Sequence, residues 1–185
     1  EMGSEYIDKM GDMMTNEAGK SFDTSIPGFT IRFAREGDET LILHFIKRLA
    51  EYERLSSEVV ATEEVLHESL FLKKQAEVIL GELNGVPVAF ALFFHNFSTF
   101  LGKANLYLED LFVDERYRGR GLGQCMFACL AFITIERGCE RLDWWCLDWN
   151  ESSIRFYERM GAKPMSDWTV YRIEGPTLQE LARSL

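Results

Sequence analysis

A glycine-rich segment lies at residues 117–124, with the sequence Tyr-Arg-Gly-Arg-Gly-Leu-Gly-Gln. It stands between a run of strand-forming residues and a long apolar helical pattern. Glycine lets the backbone turn tightly and keeps its N–H groups accessible, and the N-terminus of the following helix carries partial positive charge. The segment can therefore hold a pyrophosphate without a metal ion. An ordinary strand-to-helix turn is the alternative interpretation of the same residues.

Two common phosphate-binding motifs do not fit this segment. A Walker loop needs Lys and then Ser or Thr after its last glycine, and neither pair occurs here. The dinucleotide pattern G-x-G-x-x-G fits Gly119 and Gly121 but requires a glycine where this chain has Gln124. The pattern that does fit is Arg118-x-x-Gly121-x-Gly123.

Two adjacent carboxylates, Glu109 and Asp110, interrupt an apolar strand pattern at residues 105–113. An unpaired carboxylate is costly to bury, so at least one of them should face a cleft or solvent. Because side chains alternate along a strand, we expect the two carboxylates on opposite faces, with only one lining a site directly.

Tyr157 lies on a predicted helix at residues 151–160, among Ile154, Phe156 and Met160. From this pattern alone it could be an ordinary residue of an amphipathic helix, with its ring packed and its hydroxyl at the surface. The three histidines, His44, His67 and His95, have no metal-ligand spacing, and the four cysteines lack the paired spacing of a structural zinc site. We therefore expect no metal.

Periodicity predicts the elements that must hold these residues. Asn84-Gly85 between two β-rich runs predicts a hairpin, and Asp38 and Thr62 precede helical patterns. Strands are predicted at 29–35, 78–83, 86–94, 105–113, 141–147 and 168–173, and helices at 38–52, 62–72, 122–137 and 151–160, with a short C-terminal helix. The order β-α-α-β-β-β-α-β-α-β predicts an α/β fold with a mixed sheet.

The 185 residues are enough for one domain with a sizeable core. Thirty acidic residues oppose 20 basic ones, which disfavours nucleic acid and anionic membranes as partners and favours a cationic one. No apolar run is long enough to span a membrane or serve as a signal peptide, so we expect a cytoplasmic protein. We interpret residues 1–27 as a flexible N-terminal extension and residues 28–185 as the domain.

Three long motifs occur in the order found in the GNAT acetyltransferases. They are Leu-Tyr-Leu-Glu-Asp-Leu-Phe-Val at 106–113, Tyr-Arg-Gly-x-Gly-x-Gly at 117–123, and Trp-Asn-Glu-x-Ser-Ile-x-Phe-Tyr-x-x-x-Gly-Ala at 149–162. Over residues 29–185 the chain resembles the spermidine/spermine (diamine) and thialysine N-acetyltransferase-like branch of that superfamily. The resemblance implies the GNAT acyl-CoA N-acyltransferase fold: a mixed, mostly antiparallel central sheet with flanking helices, split between its two central strands.

The same resemblance implies roles for individual residues, with acetyl-CoA as cosubstrate. The pantetheine arm would pair with the backbone of Leu111, Phe112 and Val113, and Asn150 and Ser153 would contact the CoA arm. Tyr157 would protonate the departing thiolate, and Glu109 would take the proton of the attacking ammonium through water. The amine would lie near Tyr52, Glu53, Asp110 and Trp149. The pyrophosphate would be held by Arg118, Gly119, Arg120, Gly121, Leu122, Gly123 and Gln124.

Elementary acid–base chemistry agrees with these roles. An alkyl ammonium has a pKa of about 10.4, so it must lose a proton before its nitrogen can attack a thioester. A carboxylate can both attract the cation and accept or relay its proton. A tyrosine hydroxyl has a pKa of about 10 and the leaving thiol about 8.5, so proton transfer from tyrosine must be coupled to collapse of the intermediate.

The identity of the amine stays open. Where the polyamine enzymes carry an acidic Glu-Glu-Gly-Trp stretch, this chain has Pro-Met-Ser-Asp-Trp at 164–168. Phe97 and Phe100 stand where those enzymes carry tryptophan. Shorter diamines, thialysine-like amino acids and polyamines are all candidates. The alternatives are a protein Lys or N-terminal acetyltransferase and a non-catalytic CoA-binding module; the family resemblance also implies a homodimer.

Overall fold

The computed structural model describes residues 20–185. Contacts divide the chain into two compact units, the first ending at Trp145 and the second comprising Cys146–Leu185. The prediction that residues 28–185 form a single domain stays a prediction.

The first unit is built on a six-stranded sheet with the strand order β1-β2-β3-β4-β5-β6. Every neighbouring pair is antiparallel except β5 and β6, which are parallel. The mixed, mostly antiparallel sheet that the sequence predicts is therefore confirmed. The strands are β1 (Ser21–Asp23), β2 (Phe29–Phe33), β3 (Glu77–Leu83), β4 (Val86–Ser98), β5 (Lys103–Val113) and β6 (Leu142–Trp144).

Three helical regions complete the first unit. Helix α1 spans Glu39–Glu53, α2 spans Glu63–Leu66 and continues as a π-helical segment, His67–Leu72, and α3 spans Leu122–Glu136. Short 3₁₀ turns lie at Ser56–Glu58 and Glu115–Tyr117.

Local signals explain where α1 and α2 begin and end. Thr62 accepts a hydrogen bond from the Val65 N–H at 3.3 Å, as expected for a helix cap. Asp38 precedes α1 but does not cap it, because its carboxylate accepts hydrogen bonds from the Arg32 guanidinium and the Arg35 N–H. Helix α1 ends at Glu53, and the next residue, Arg54, adopts the left-handed conformation and donates its N–H to the last turn.

The helices α1 and α2 cover one face of the sheet with an apolar core. The rings of Phe45 on α1 and Phe90 on β4 are stacked, with centroids 5.5 Å apart and an interplanar angle of 3°. The remaining buried members of this cluster are Ile42, Leu43, Leu49, Leu66, Leu70, Val78, Leu80 and Phe112. We call this side of the sheet the α1 face. It matters here because Phe112 belongs to β5, next to the two carboxylates.

Helix α3 packs against β2, β4, β5 and β6 on the opposite side of the sheet. The side chains there alternate along each strand with those of the α1 face. Phe22 of β1 contacts both Phe33 and Phe132, and Phe33 contacts Phe93. This side is the α3 face.

The N-terminal boundary differs from the sequence expectation. Residues 1–27 were interpreted as a flexible extension, but Ser21–Asp23 form the edge strand β1, with Phe22 buried opposite Ile31. Three residues are too few for alternation to be recognised in a sequence. Residues 1–19 lie outside the described part of the chain.

The second unit contains α4 (Glu151–Arg159) and α5 (Gly175–Arg183). The strand predicted at 168–173 is wrong, because these residues adopt no strand conformation and are exposed. Its β-branched and aromatic residues suit a strand, but a strand also needs a hydrogen-bonded neighbour. The strand predicted at 141–147 is shorter than expected, spanning only Leu142–Trp144.

Candidate active site

A β-bulge interrupts the pairing of β5 with β4 at Glu109. Leu92 pairs with Asp110 and Phe93 pairs with Leu108, so Glu109 has no partner on β4. A bulge inserts one unpaired residue, breaks the alternation of the strand and increases its local twist. As a result Leu108 and Leu111, three residues apart, share the α3 face.

The bulge corrects one expectation about the carboxylates. Simple alternation predicted that Glu109 and Asp110 would lie on opposite faces, but the register shift removes the basis for that prediction. Asp110 pairs with Leu92 and so lies on the α1 face with Phe112. Burial and, after it, the Glu109 carboxylate raise the pKa of both Asp110 and Tyr107, which share this face, so Glu109 acts on groups of the α1 face too.

An open strand edge follows the bulge. The pairing of β5 with β6 covers only Leu106–Leu108 of β5, although β5 continues to Val113. The Asp114 N–H donates to the Val88 carbonyl at 2.9 Å, which makes these two residues a hydrogen-bonded pair. Hydrogen-bonded and non-hydrogen-bonded pairs alternate in an antiparallel ladder, so the backbone N–H and C=O groups of Leu111 and Val113 face the side away from β4.

This edge is the split between the two central strands that the family resemblance implies. Phe112 was expected to pair with a ligand through its backbone, but its N–H and C=O face β4 instead, opposite Phe90. Within residues 20–185, no strand pairs with the open side of β5 beyond Leu108. An extended ligand with amide groups can add to such an edge as a strand would.

The glycine-rich segment joins the end of β5 to the N-terminus of α3. Gly119 and Gly121 have φ angles of +75° and +81°, a conformation that side chains disfavour, so glycine is required at both. Helix α3 has no side-chain cap, and Cys125 is the first residue to donate its N–H back to Gly121. The N–H groups of Leu122, Gly123 and Gln124 thus begin the helix, as an anion-binding N-terminus requires.

The three arginines of this segment have different neighbours. Arg116 donates two side-chain hydrogen bonds to Asp114, at 2.7 and 3.0 Å. The Arg120 guanidinium lies 5.5 Å from the centre of the Tyr117 ring. Arg118 donates its Nε to the Val113 carbonyl at 2.9 Å, on the open edge. Arg116 is thus already paired with Asp114, and the assignment of Arg118 and Arg120 to the pyrophosphate stays a prediction.

Three carboxylates converge on the α1 face beside the bulge. Burial, Glu109 and Glu53 together raise the pKa of Asp110 to about 7. Burial also raises the pKa of Glu53, at the end of α1. An adjacent cation would lower the pKa of Asp110, but no cationic side chain among residues 20–185 contributes to that pKa. The cluster therefore has the electrostatic character of a site for a cation.

Tyr107 and Asp143 extend this polar surface, and the sequence pattern did not reveal them. The parallel register sets Tyr107 of β5 beside Asp143 of β6. Burial, Glu109 and Asp143 raise the pKa of the Tyr107 hydroxyl to about 12. Trp145 packs edge-on against Tyr107, with ring centroids 6.0 Å apart. Asp143 follows Tyr107 by 36 positions, so the sequence could not show that the two are neighbours before the pairing of β5 with β6 was known.

The remaining candidate residues belong to the second unit. Asn150 is buried and its side chain accepts the Ser153 N–H at 3.3 Å, which caps α4. Tyr157 is half-buried on α4, with its ring 5.6 Å from that of Phe156. Trp149, just before the helix, is half-exposed. The sequence assigned these side chains to the CoA arm, the acid and the amine, and those assignments stay predictions.

Between Lys20 and Leu185, no group of three or more His, Cys, Asp or Glu side chains is arranged to hold a metal ion. In the same part of the chain, no helix has the length and apolar character needed to cross a bilayer.

A mixed sheet with an open strand edge that leads into a glycine-rich helix N-terminus offers backbone groups of the kind that pair with amides and hold phosphates. Comparison with known proteins identifies the class of protein. The family model of the acetyltransferase (GNAT) family matches residues 43–162. The chain therefore belongs to the GNAT acetyltransferase family, and membership implies acetyl-CoA as its cosubstrate.

Its relatives fall in the branch that the sequence motifs indicated. The thialysine N-epsilon-acetyltransferase of Bos taurus is 37% identical over 164 residues, which cover 82% of this chain and 96% of that protein. The spermidine/spermine N(1)-acetyltransferase-like protein 1 of Homo sapiens is 30% identical over 170 residues, covering 86% of this chain and 24% of that protein. An integron cassette protein from V. cholerae has the same fold, with a TM-score of 0.70 and 26% identity over 84% of this chain and 98% of that chain.

Proposed function

We propose that this chain transfers the acetyl group of acetyl-CoA to a primary amine of a small diamine, polyamine or aminoalkyl amino acid, by direct attack in a ternary complex. The observation that carries the proposal is the carboxylate cluster of Glu53, Glu109 and Asp110 beside the open edge of β5. A thioester donor bound along that edge would meet a cationic acceptor held by the cluster.

The donor side of the proposal uses backbone groups. The pyrophosphate would bind the N–H groups at the start of α3, where the helix dipole favours an anion. The amides of the pantetheine arm would pair with Leu111 and Val113 on the open edge. Asn150 and Ser153, at the N-terminus of α4, would contact the CoA arm.

The acceptor side uses the carboxylates and the neighbouring aromatic side chains. The ammonium would be attracted by Glu53, Glu109 and Asp110 and lose one proton to Glu109 through a water molecule. The neutral nitrogen then attacks the thioester carbonyl, so that a C–N bond forms and the C–S bond breaks. The nitrogen, which becomes positively charged on attack, releases its second proton to water to give the neutral amide. Tyr52 and Trp149 would border the amine.

Tyr157 would act as the acid at the leaving group. As the C–S bond breaks, its hydroxyl proton passes to the departing thiolate, and the phenolate is later reprotonated from solvent. Because the tyrosine pKa of about 10 exceeds the thiol pKa of about 8.5, the transfer must accompany collapse of the tetrahedral intermediate. The enzyme forms no covalent intermediate in this mechanism.

The test is CoA release from acetyl-CoA with putrescine, spermidine, spermine, thialysine, lysine, ornithine and a basic peptide as acceptors. We expect turnover with at least one free amine, and a decrease in kcat of at least about tenfold in Tyr157→Phe, the range that general acid catalysis contributes. The matched control is Tyr171→Phe, which changes an exposed tyrosine of the same unit and should leave kcat unchanged.

The outcomes separate the alternatives. Unchanged kcat in Tyr157→Phe would remove the acid assignment but not the activity. Turnover only with the basic peptide would identify a protein acetyltransferase, and CoA binding without turnover on any acceptor would identify a binding module. We also propose that the chain forms a homodimer. Light scattering of the purified chain tests this, and a molecular mass of 21.4 kDa alone, that of the monomer, would contradict it.

A further inference from the structure

Arg118 is the first residue of the glycine-rich motif, but its side chain does not extend along the glycines. Its Nε donates to the Val113 carbonyl at 2.9 Å. Its guanidinium carbon lies 4.7 Å from the centre of the Tyr52 ring and 5.6 Å from the centre of the Phe112 ring. Arg118 therefore bridges the end of β5, on the donor side, and the last turn of α1, on the acceptor side.

These contacts have the geometry of specific interactions. A guanidinium within about 6 Å of a ring centroid is attracted by the ring quadrupole, and the planar group can stack on one ring while an edge N–H donates a hydrogen bond. Tyr52 packs against the apolar cluster of the α1 face and immediately precedes Glu53 of the carboxylate cluster. A change in the position of the Tyr52 ring would therefore alter the place where the amine is expected to bind.

The Val113 carbonyl adds a second consequence. It is one of the backbone groups on the open edge, and one of its two lone pairs accepts the hydrogen bond from Arg118. An amide ligand on this stretch would therefore share the Val113 C=O with Arg118, in addition to pairing with the N–H and C=O of Leu111 and the N–H of Val113. The pyrophosphate can still be held by the N–H groups at the start of α3, which need no side chain.

We propose that Arg118 is a positioning residue that holds Tyr52 for the amine acceptor, and that phosphate binding depends mainly on the backbone of the glycine-rich segment. This inference rests on the proposed amine acetyltransferase function. It predicts that a substitution at Arg118 changes the KM for the amine more than the KM for acetyl-CoA, although the residue belongs to a motif associated with the CoA pyrophosphate.

The first experiment compares Arg118→Lys with the wild-type chain and with Arg116→Lys as matched control. Lysine keeps the positive charge but loses the planar group that stacks and donates from Nε. We expect the KM for the amine to rise about three- to fivefold at saturating acetyl-CoA, the range of one cation–π contact, and the KM for acetyl-CoA to change less. Arg116→Lys alters a neighbouring arginine that is paired with Asp114 and should change neither KM.

The second experiment asks whether Arg118 acts through Tyr52. Tyr52→Phe keeps the ring that Arg118 contacts, whereas Tyr52→Leu keeps apolar volume but removes the ring. We expect the effect of Arg118→Lys on the amine KM to persist in the Tyr52→Phe background and to vanish in the Tyr52→Leu background, because residues in contact are not additive. If Arg118→Lys does not fold, Arg118→Gln, which also lacks the stacking group, is measured in the same backgrounds.

The results distinguish this inference from the function on which it rests. Absence of wild-type turnover on every amine would contradict the proposed function. Wild-type turnover with an Arg118→Lys defect confined to the acetyl-CoA KM, or with additive effects in the Tyr52→Leu background, would overturn the positioning role and leave the function standing.

Discussion

Asp110 shows how a single residue can depart from what its sequence neighbours indicate. From the sequence, two consecutive carboxylates in an apolar strand predict that at least one of them faces a cleft or solvent, and their assignment to a site stays a prediction. Their arrangement was not predictable, because the bulge at Glu109 depends on the register of two strands that meet only in the folded chain. The structure adds a quantity that no pattern contains: burial, Glu109 and Glu53 raise the pKa of Asp110 to about 7.

This raised pKa predicts a pH dependence of stability. The folded chain keeps the Asp110 proton up to about pH 7, whereas the unfolded chain releases it near the ordinary pKa of 3.8. Stabilisation from this proton is present at low pH and is lost as pH rises through 7, so the free energy of unfolding should fall between pH 5.5 and pH 8. We expect Asp110→Asn to reduce that fall by roughly 1–2 kcal/mol, since one pKa unit corresponds to about 1.4 kcal/mol.

Urea unfolding at pH 5.5 and pH 8 measures this difference. Asp167→Asn is the control, because it removes an exposed aspartate and should keep the wild-type dependence. An Asp110→Asn variant whose stability falls with pH as steeply as the wild type would show that Asp110 is already ionised at pH 5.5.

At the scale of elements, the strand-to-helix junction at the start of α3 was predictable and the ends of the chain were not. Gly119 and Gly121 signal a junction because only glycine adopts their positive φ angles readily, and the Asn84-Gly85 pair likewise marks the observed β3–β4 hairpin. These signals are local. The failed strand at 168–173 and the unrecognised strand β1 both depend on partners distant in sequence, which a local pattern does not contain.

The junction itself allows a test that separates folding from phosphate binding. Gly121 has a φ of +81°, and a Cβ there would lie 3.4 Å from Ile26 Cδ1, so Gly121→Ala should lower both the melting temperature and the affinity for CoA. Gly123 lies inside α3 without a positive φ angle. Gly123→Ala should therefore keep or raise the melting temperature, since alanine favours a helix, and yet weaken CoA binding at least about fivefold by adding a methyl group at the helix N-terminus.

Thermal unfolding and calorimetric titration with CoA measure the two effects on the same samples. The informative variant is Gly123→Ala, because the backbone at residue 123 does not need the positive φ angle that only glycine adopts readily. If it binds CoA as tightly as the wild type, the phosphate does not approach the N-terminus of α3, and the glycine-rich segment is only the turn that joins β5 to the helix.

At the scale of the whole molecule, charge is the property that sequence predicts best, because it needs no coordinates. The formal net charge is −10, and residues 20–145, the described residues of the unit that contains the carboxylate cluster, carry more acidic than basic side chains. A negative field of this kind raises the rate at which cations reach the site, and dissolved salt screens it over a Debye length of about 10 Å at 0.1 M ionic strength. Acetyl-CoA is itself an anion, so the two substrates should respond to salt in opposite directions.

We therefore expect kcat/KM for the amine, measured at saturating acetyl-CoA, to fall as the sodium chloride concentration rises from about 20 to 300 mM. The fall should be about twice as steep for a diamine as for a monoamine of the same length, because the attraction scales with the charge of the ligand. Matched pairs such as 1,4-diaminobutane and butylamine keep the reacting group constant and change only the distal charge. Equal salt dependence for the two would mean that the acceptor is recognised by contacts at its reacting end alone. A rate that does not fall with salt would contradict a cationic acceptor altogether, since a dication approaching a surface of this charge must lose attraction as the field is screened.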